Sequence, residues 1–118
     1  MAAAANLEHF RGYRYTNRKY ELKAKVFKVL SDPTRLRILE HLINGEANVT
    51  NLCDVLSIKQ STVSQHLRML KECGAVTARK NGREIFYNIR DSKFVEMLDL
   101  GEKVLVLTIA DMMSCVCE

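Results

Sequence analysis

A mostly α-helical domain carrying one small β-hairpin is predicted from three features of the sequence. Apolar residues recur at helical spacing over most of the chain. Between residues 75 and 90 the period switches to two, on either side of Asn81-Gly82, a strong hairpin signal. One proline and five glycines argue against a chain dominated by loops.

Taken in order, residues 1–15 open with the alanine run Ala2–Ala5 and show no clear pattern, so they are expected to be a flexible segment. From about Thr16, Leu22, Val26, Val29 and Leu30 define a first helix. Ser31-Asp32-Pro33 stops it and starts a second, with Asp32 as cap and Pro33 in the first helical position. That helix reaches about Ile43, turns Leu36, Leu39, Leu42 and Ile43 inward, and ends at Asn44-Gly45. Val49 is assigned an extended contact. Thr50 is taken to cap a third helix through Leu56, with Leu52, Val55 and Leu56 inward. After Ser57-Ile58-Lys59 a fourth helix covers Gln60–Cys73, burying Val63, Leu67 and Leu70, and Gly74 follows it. Strands are expected at Ala75–Lys80 and Glu84–Arg90, the second with Ile85, Tyr87 and Ile89 alternating. A last helix runs from about Lys93 to Met112. Residues 16–113 thus form one domain, and residues 114–118 a thiol-bearing tail.

The size of the chain, 118 residues, fits a single domain, and at 47% hydrophobic it can build a core. The longest strongly apolar run, Val104–Leu107, is too short to span a membrane, and no secretory signal is apparent. A cytoplasmic protein is expected. The net charge of +4 is unevenly laid out. Residues 1–28 and 59–90 each hold seven basic and two acidic residues, whereas residues 91–118 hold two and six. Two basic blocks suit a polyanion. Val104–Ile109 is apolar nearly all round, so the last helix needs a cover, and a second subunit is the natural one in so small a chain.

Two short helices joined by a tight turn and followed by a hairpin make a winged helix-turn-helix, in the order α1-α2-α3-α4-β1-β2-α5. The outward face of the fourth helix carries Gln60, Ser61, Ser64, Gln65, Arg68 and Lys71, and Thr62 is grouped with them. Short amide and hydroxyl side chains near a helix N-terminus reach base edges in a major groove. Arg68 and Lys71, further along, suit phosphates, as do Arg79, Lys80 and Arg83 of the hairpin. Double-stranded operator DNA is therefore the expected partner. No Ser-His-Asp arrangement, paired carboxylates or phosphate-cradling glycine loop is discernible, so an enzyme is not expected.

Leu30-Ser31-Asp32-Pro33-Thr34-Arg35-Leu36-Arg37-Ile38-Leu39, then Gln60-Ser61-Thr62-Val63-Ser64-Gln65-His66-Leu67, then Arg79-Lys80-Asn81-Gly82-Arg83 with Tyr87, strongly resemble the ArsR/SmtB family of winged-helix repressors. The resemblance covers about residues 20–92. It implies a homodimer with the first and last helices at the interface, seated on an imperfect palindrome and released by an inducer. It also implies that Gln60, Ser61, Ser64 and Gln65 read bases and that Arg79 to Arg83 form the wing.

The sensor sites of that family fit this chain only in part. The zinc-type pattern on the last helix keeps Asp91 but meets Lys93, Val104 and Leu107 where ligands are needed. The arsenic- and cadmium-type Cys-x-Cys meets Asn51-Leu52-Cys53, with no cysteine before Cys53. The persulfide type lacks its second-helix cysteine, since Glu40 stands there. A cadmium/lead type with thiols in the recognition helix and tail is nearer, with Cys73, Cys115 and Cys117 present but Met69 at one position. Cys53 and Cys73 also suit a small buried hydrophobe. Cys115 and Cys117 face the same way only in an extended chain, so they grip one ion only if the last helix ends by about Ser114.

Thiolates select soft ions. The leading expectation is a repressor with no permanent cofactor, induced by arsenite, Cd or Pb on Cys115, Cys117 and either Cys73 or Cys53. Thiol oxidation or persulfidation of the same residues is the alternative, followed by a repressor with no small inducer. His9, His41 and His66 share no ligand spacing. Tyr13, Tyr15 and Tyr20, interleaved with Arg11, Arg14, Arg18 and Lys19, suit either phosphates or a dimer interface.

Overall fold

The structure, a computed structural model, describes residues 17–116. The segment 1–15, with Arg11, Tyr13, Arg14 and Tyr15, and the thiol of Cys117 lie outside the described residues. The elements are α1 (Asn17–Val29), α2 (Pro33–Ile43), α3 (Val49–Leu56), α4 (Gln60–Glu72), β1 (Val76–Asn81), β2 (Glu84–Ile89) and α5 (Ser92–Val116). This is the mostly helical winged helix-turn-helix, with the hairpin before the last helix.

The core is closed by α2, α3, α4 and the hairpin. Ile38, Leu39, Leu42, Leu52, Val63, Leu67 and Leu70 are fully or almost fully buried, and Val29, Leu56, Ala75 and Val76 complete the cluster. Large core residues of this kind each contribute about 2–3 kcal/mol. Three residues expected inward are not buried. Ile43 and Val55 are exposed and Leu36 is only half-buried, while Ile38 is fully buried on α2 beside Leu39. The face a short helix presents is set here by its neighbours, and periodicity alone left it one position out.

The starts and stops of the helices are made by local hydrogen bonds. Asp32, in an extended conformation, accepts from the Arg35 amide at 3.0 Å and caps α2 ahead of Pro33. The cap of α3 is Asn48, not Thr50. Asn48 accepts from the Asn51 amide at 2.8 Å, and the Asn51 side chain returns to the Asn48 amide, so both partners of a capping box are present. One residue earlier, Ala47 exchanges two backbone hydrogen bonds with Tyr87 on β2, at 3.1 and 2.8 Å. The extended contact therefore falls at Ala47 and not at Val49, which is already helical. Pairing with Tyr87 fixes Ala47 as extended and leaves Asn48 as the last residue before the helix.

The hairpin pairs Val76 with Ile89 through Asn81 with Glu84. Its two linking residues are Gly82 and Arg83, one step beyond the expected Asn81-Gly82. Gly82 has φ +66° and Arg83 has no positive φ, the order of a turn that takes glycine first. Arg83 consequently sits on the tip itself. Gly74, with φ +79°, lies where a Cβ would come within 2.9 Å of the Arg90 guanidinium.

The last helix continues to Val116, past the expected end near Met112. No glycine or proline stands between Asp111 and Val116 to stop it. Ser114 to Val116 are thus helical rather than an extended tail. Much of this helix is bare: Val106 is 72% and Leu107 83% exposed, and Leu100, Val104 and Ile109 are exposed too. On α1, Phe27 is 65% and Tyr20 63% exposed. No helix among the described residues is long and apolar enough to cross a membrane.

Candidate nucleic-acid interface

On α4, burial and exposure divide the helix lengthwise. Val63, Leu67 and Leu70 are completely buried, and Gln60, Ser61, Ser64, Gln65, Arg68 and Lys71 are all exposed on the other side. Thr62 is half-buried, so it is the least available of the grouped residues. The cap position, Lys59, makes no side-chain hydrogen bond to the helix. The first amides of α4 are therefore open to an outside acceptor such as a phosphate. The connection from α3 is tight because Ser57 adopts φ 55°, in the left-handed region. Arg37 of α2 donates to the Leu56 carbonyl at 2.9 Å and satisfies the end of α3.

The cations are not equivalent. Arg68 makes an i,i+4 pair with Glu72 at 3.3 Å, with both side chains largely in solvent. Such a pair is weak and easily exchanged for a phosphate. Arg79 is held differently. It donates from Nε and Nη2 to the two carboxylate oxygens of Glu46 and stacks over the Phe86 ring at 5.2 Å. Glu46 lies in the α2–α3 connection, so this pair braces the base of the wing. The hydrogen bonds that Arg79 donates hold the Glu46 carboxyl below its ordinary value, and the accepting carboxylate raises the Arg79 guanidinium. A second brace runs from Asn48 Nδ2 to Glu84 Oε1 at 3.3 Å. Lys80 and Arg83, by contrast, are exposed and make no ion pair among the described residues.

The thiols are dispersed. Cys53 is half-buried against the core and lines a cavity of about 430 Å³ with Ser57, Lys59 and Gln60, at the start of α4. Cys73 is exposed at the far end of α4, beside a groove of about 390 Å³ lined by Leu22, Val26, Val29 and Phe94. The two thiols thus lie towards opposite ends of α4, a helix about 20 Å long. Cys115 lies on α5 with a helical backbone, which departs from the extended geometry that its pairing with Cys117 requires. Among the described residues no group of three or more His, Cys, Asp or Glu side chains is placed to hold a metal ion.

Two residues that sequence reasoning passed over organise this region. Arg35 and Asn48 are the buried polar side chains among the described residues. Arg35 donates to the Val29 carbonyl at 2.7 Å and the Lys28 carbonyl at 3.0 Å, closing the C-terminus of α1, and its Nη1 lies 3.4 Å from Nδ1 of His66 on α4. Only the motif Asp32-Pro33-Thr34-Arg35 carried a hint of this, and it was read for its cap.

Residues 32–78 match the model of the arsR family of bacterial regulatory proteins. An HTH-type transcriptional regulator of Methanocaldococcus jannaschii is 44% identical over 87 residues, spanning 73% of this chain and 98% of the other. A probable mercury resistance operon repressor of Streptomyces lividans is 35% identical over 78 residues, 66% of this chain and 62% of the other. The solution structure of Mb0332 from Mycobacterium bovis, described as a homodimeric winged helix-turn-helix DNA-binding domain, superposes with a TM-score of 0.71. It shares 28% identity and covers 77% of this chain and 84% of that one. A helix-turn-helix whose second helix has one polar face, a braced wing and these relatives lead to one assignment: the chain belongs to the arsR family and is a DNA-binding transcriptional regulator, not an enzyme.

Proposed function

We propose that the protein is a cytoplasmic homodimeric repressor that grips operator DNA with α4 and the wing tip and lets go when a thiol-reactive inducer binds. The observation that carries the DNA part is the division of α4, a polar face at the open end of a helix whose other side is locked in the core. Gln60, Ser61, Ser64 and Gln65 read base edges, and Thr62 assists through its partly exposed hydroxyl. Lys71, Lys80 and Arg83 hold phosphates. Arg68 joins them by exchanging Glu72, and Arg79 only by giving up Glu46. The bare apolar faces of α1 and α5 support the dimer, and the homodimeric Mb0332 domain supports it further. Two reading helices then meet half-sites about 10–10.5 base pairs apart, or a multiple of that.

The inducer we favour is a soft metal or metalloid, such as arsenite, Cd or Pb, bound by Cys73 with Cys115 and Cys117. The exposed Cys73 thiol and the similarity to a mercury resistance repressor support it. Cys53, half-buried at the other end of α4, is the weaker candidate for a third ligand. A specific observation favours the second reading, oxidation or persulfidation: α5 stays helical through Cys115, which works against a two-thiolate clamp. Fluorescence anisotropy of the promoter fragment, with reduced protein at constant salt, separates them. Release by arsenite or Cd(II) near one equivalent, abolished by Cys73→Ser or by joint Cys115→Ser and Cys117→Ser, supports a metal sensor. Release by a persulfide donor alone supports the other. A coupling of about 1–3 kcal/mol would weaken binding 5- to 150-fold.

A further inference from the structure

We propose that Arg35 is a positioning residue for DNA reading, a strut from α1 to α4 that holds only while His66 is neutral. The proposal rests on the reading role given to α4. Arg35 is almost fully buried, and its side-chain hydrogen bonds go to other helices. Nε and Nη2 hold the last carbonyls of α1, and Nη1 points at Nδ1 of His66 at 3.4 Å. A guanidinium can only donate, so Nδ1 must accept and the ring proton must sit on Nε2. His66 Nε2 lies 3.8 Å from Asp32 Oδ2, the oxygen that already caps α2. One ring therefore stands between a fixed cation and a fixed anion on α2.

Protonation reverses the first contact. A proton on Nδ1 would face the Arg35 guanidinium, while the new positive charge would be drawn to Asp32. The ring would leave Arg35 for Asp32, and α4 would lose its tie to α1. Among the described residues, Asp32 and Arg35 are the charged side chains paired with His66. Its neighbours one turn away on α4, Thr62, Val63, Met69 and Leu70, carry no charge, and α1 offers only backbone carbonyls to the network. His66 adjoins Gln65 and lies two residues after Ser64, so a change in the setting of the ring is felt at the base-reading face.

The test is operator affinity across pH 5 to 8, the range in which histidine changes charge. Anisotropy would be read on a labelled duplex of the gene's own upstream region, with full-length dimer at constant salt. His66→Asn keeps an acceptor near the Nδ1 position and cannot titrate. Wild-type affinity should fall by about tenfold from pH 7.5 to pH 5.5 relative to His66→Asn, the size of one charged hydrogen bond. His9 and His41 are common to both proteins and cancel in that ratio. Parallel pH profiles would overturn the proposal. Arg35→Lys keeps the charge without the fork, and should weaken binding at every pH while erasing the dependence on His66. A wild-type profile in Arg35→Lys would equally overturn it. If Arg35→Lys does not fold, His66→Asn decides alone. Gln65→Ala tests the underlying reading separately, because unchanged affinity at all pH values would remove α4 from the groove whatever His66 does.

Discussion

The helix-turn-helix core and the outer helices are built on opposite terms. In the core, Ile38, Leu39, Leu52, Val63, Leu67 and Leu70 have no exposed surface, and side chains of the same unit close the starts of α2 and α3 and the end of α3. On the outer face, Phe27, Val106 and Leu107 keep most of their surface in solvent. The contrast teaches that the helix-turn-helix core is complete within one chain, whereas α1 and the long α5 leave apolar surface that the proposed dimer would cover. A stretch such as Val104-Leu105-Val106-Leu107 on an isolated helix has no partner of its own, and two-fold pairing supplies one without new sequence.

The sharpest way to break the comparison is to damage each side separately. Leu67→Ala should cost about 2–5 kcal/mol, because it empties a fully buried site between α4 and the rest of the core. Urea unfolding followed by circular dichroism measures it, and a cost near zero would mean that the core is not packed as described. Leu107→Glu should leave that unfolding free energy nearly unchanged at low protein concentration. It should shift sedimentation from dimer to monomer and lower operator affinity by on the order of a hundredfold, as expected when two linked reading heads become independent. A monomer with intact affinity would contradict the account of the outer face.

Smaller effects test how the core is tied to its wing. Asn48→Ala removes the cap of α3 and the brace to Glu84 together, and should cost about 1–2 kcal/mol by thermal or urea melt. The mildest effect is acid-dependent. The Arg35 amide is the main cause holding Asp32 below its ordinary value, and the Arg79 hydrogen bond does the same for Glu46. Each lowered carboxyl adds stability that is complete above its ordinary value and is lost as pH falls through the lowered one. Melting temperature should therefore drop more steeply below about pH 4 in the wild type than in Asp32→Asn or Glu46→Gln. Both groups lie at the surface, so the change should be slight.

The order of elements was legible from local signals. Asp32-Pro33 opened α2, Gly74 closed α4, and the glycine of Asn81-Gly82 placed the hairpin to within one residue. What was hidden depended on partners far along the chain. Ala47 is extended because Tyr87, forty residues on, pairs with it, and that pairing moves the cap from Thr50 to Asn48. Arg79 looked like a free wing cation because Glu46 lies 33 residues earlier. Arg35 gave no signal of its own because its acceptors are backbone carbonyls, which no pattern of side chains reveals. The polar face of α4 was visible because it needs only one helix, the same reason the buried side of α4 was placed correctly. The metal-ligand set was not legible in that way, since a thiol site depends on how distant segments, and a second chain, approach one another.

The brace between Glu46 and Arg79 carries a consequence for thermodynamics. Residues 59–90 hold seven cations, and a tally of charge would credit each with displacing small ions from the DNA backbone. Each phosphate newly neutralised steepens the fall of log affinity with log salt by about 0.9 on duplex DNA. An arginine that merely trades an internal carboxylate for a phosphate gives back part of that gain, because the abandoned carboxylate collects a cation of its own. Arg79 should therefore leave little trace in the salt slope while Lys80 and Arg83 leave a full one, so that counterion release reports which arginines the fold had already spoken for.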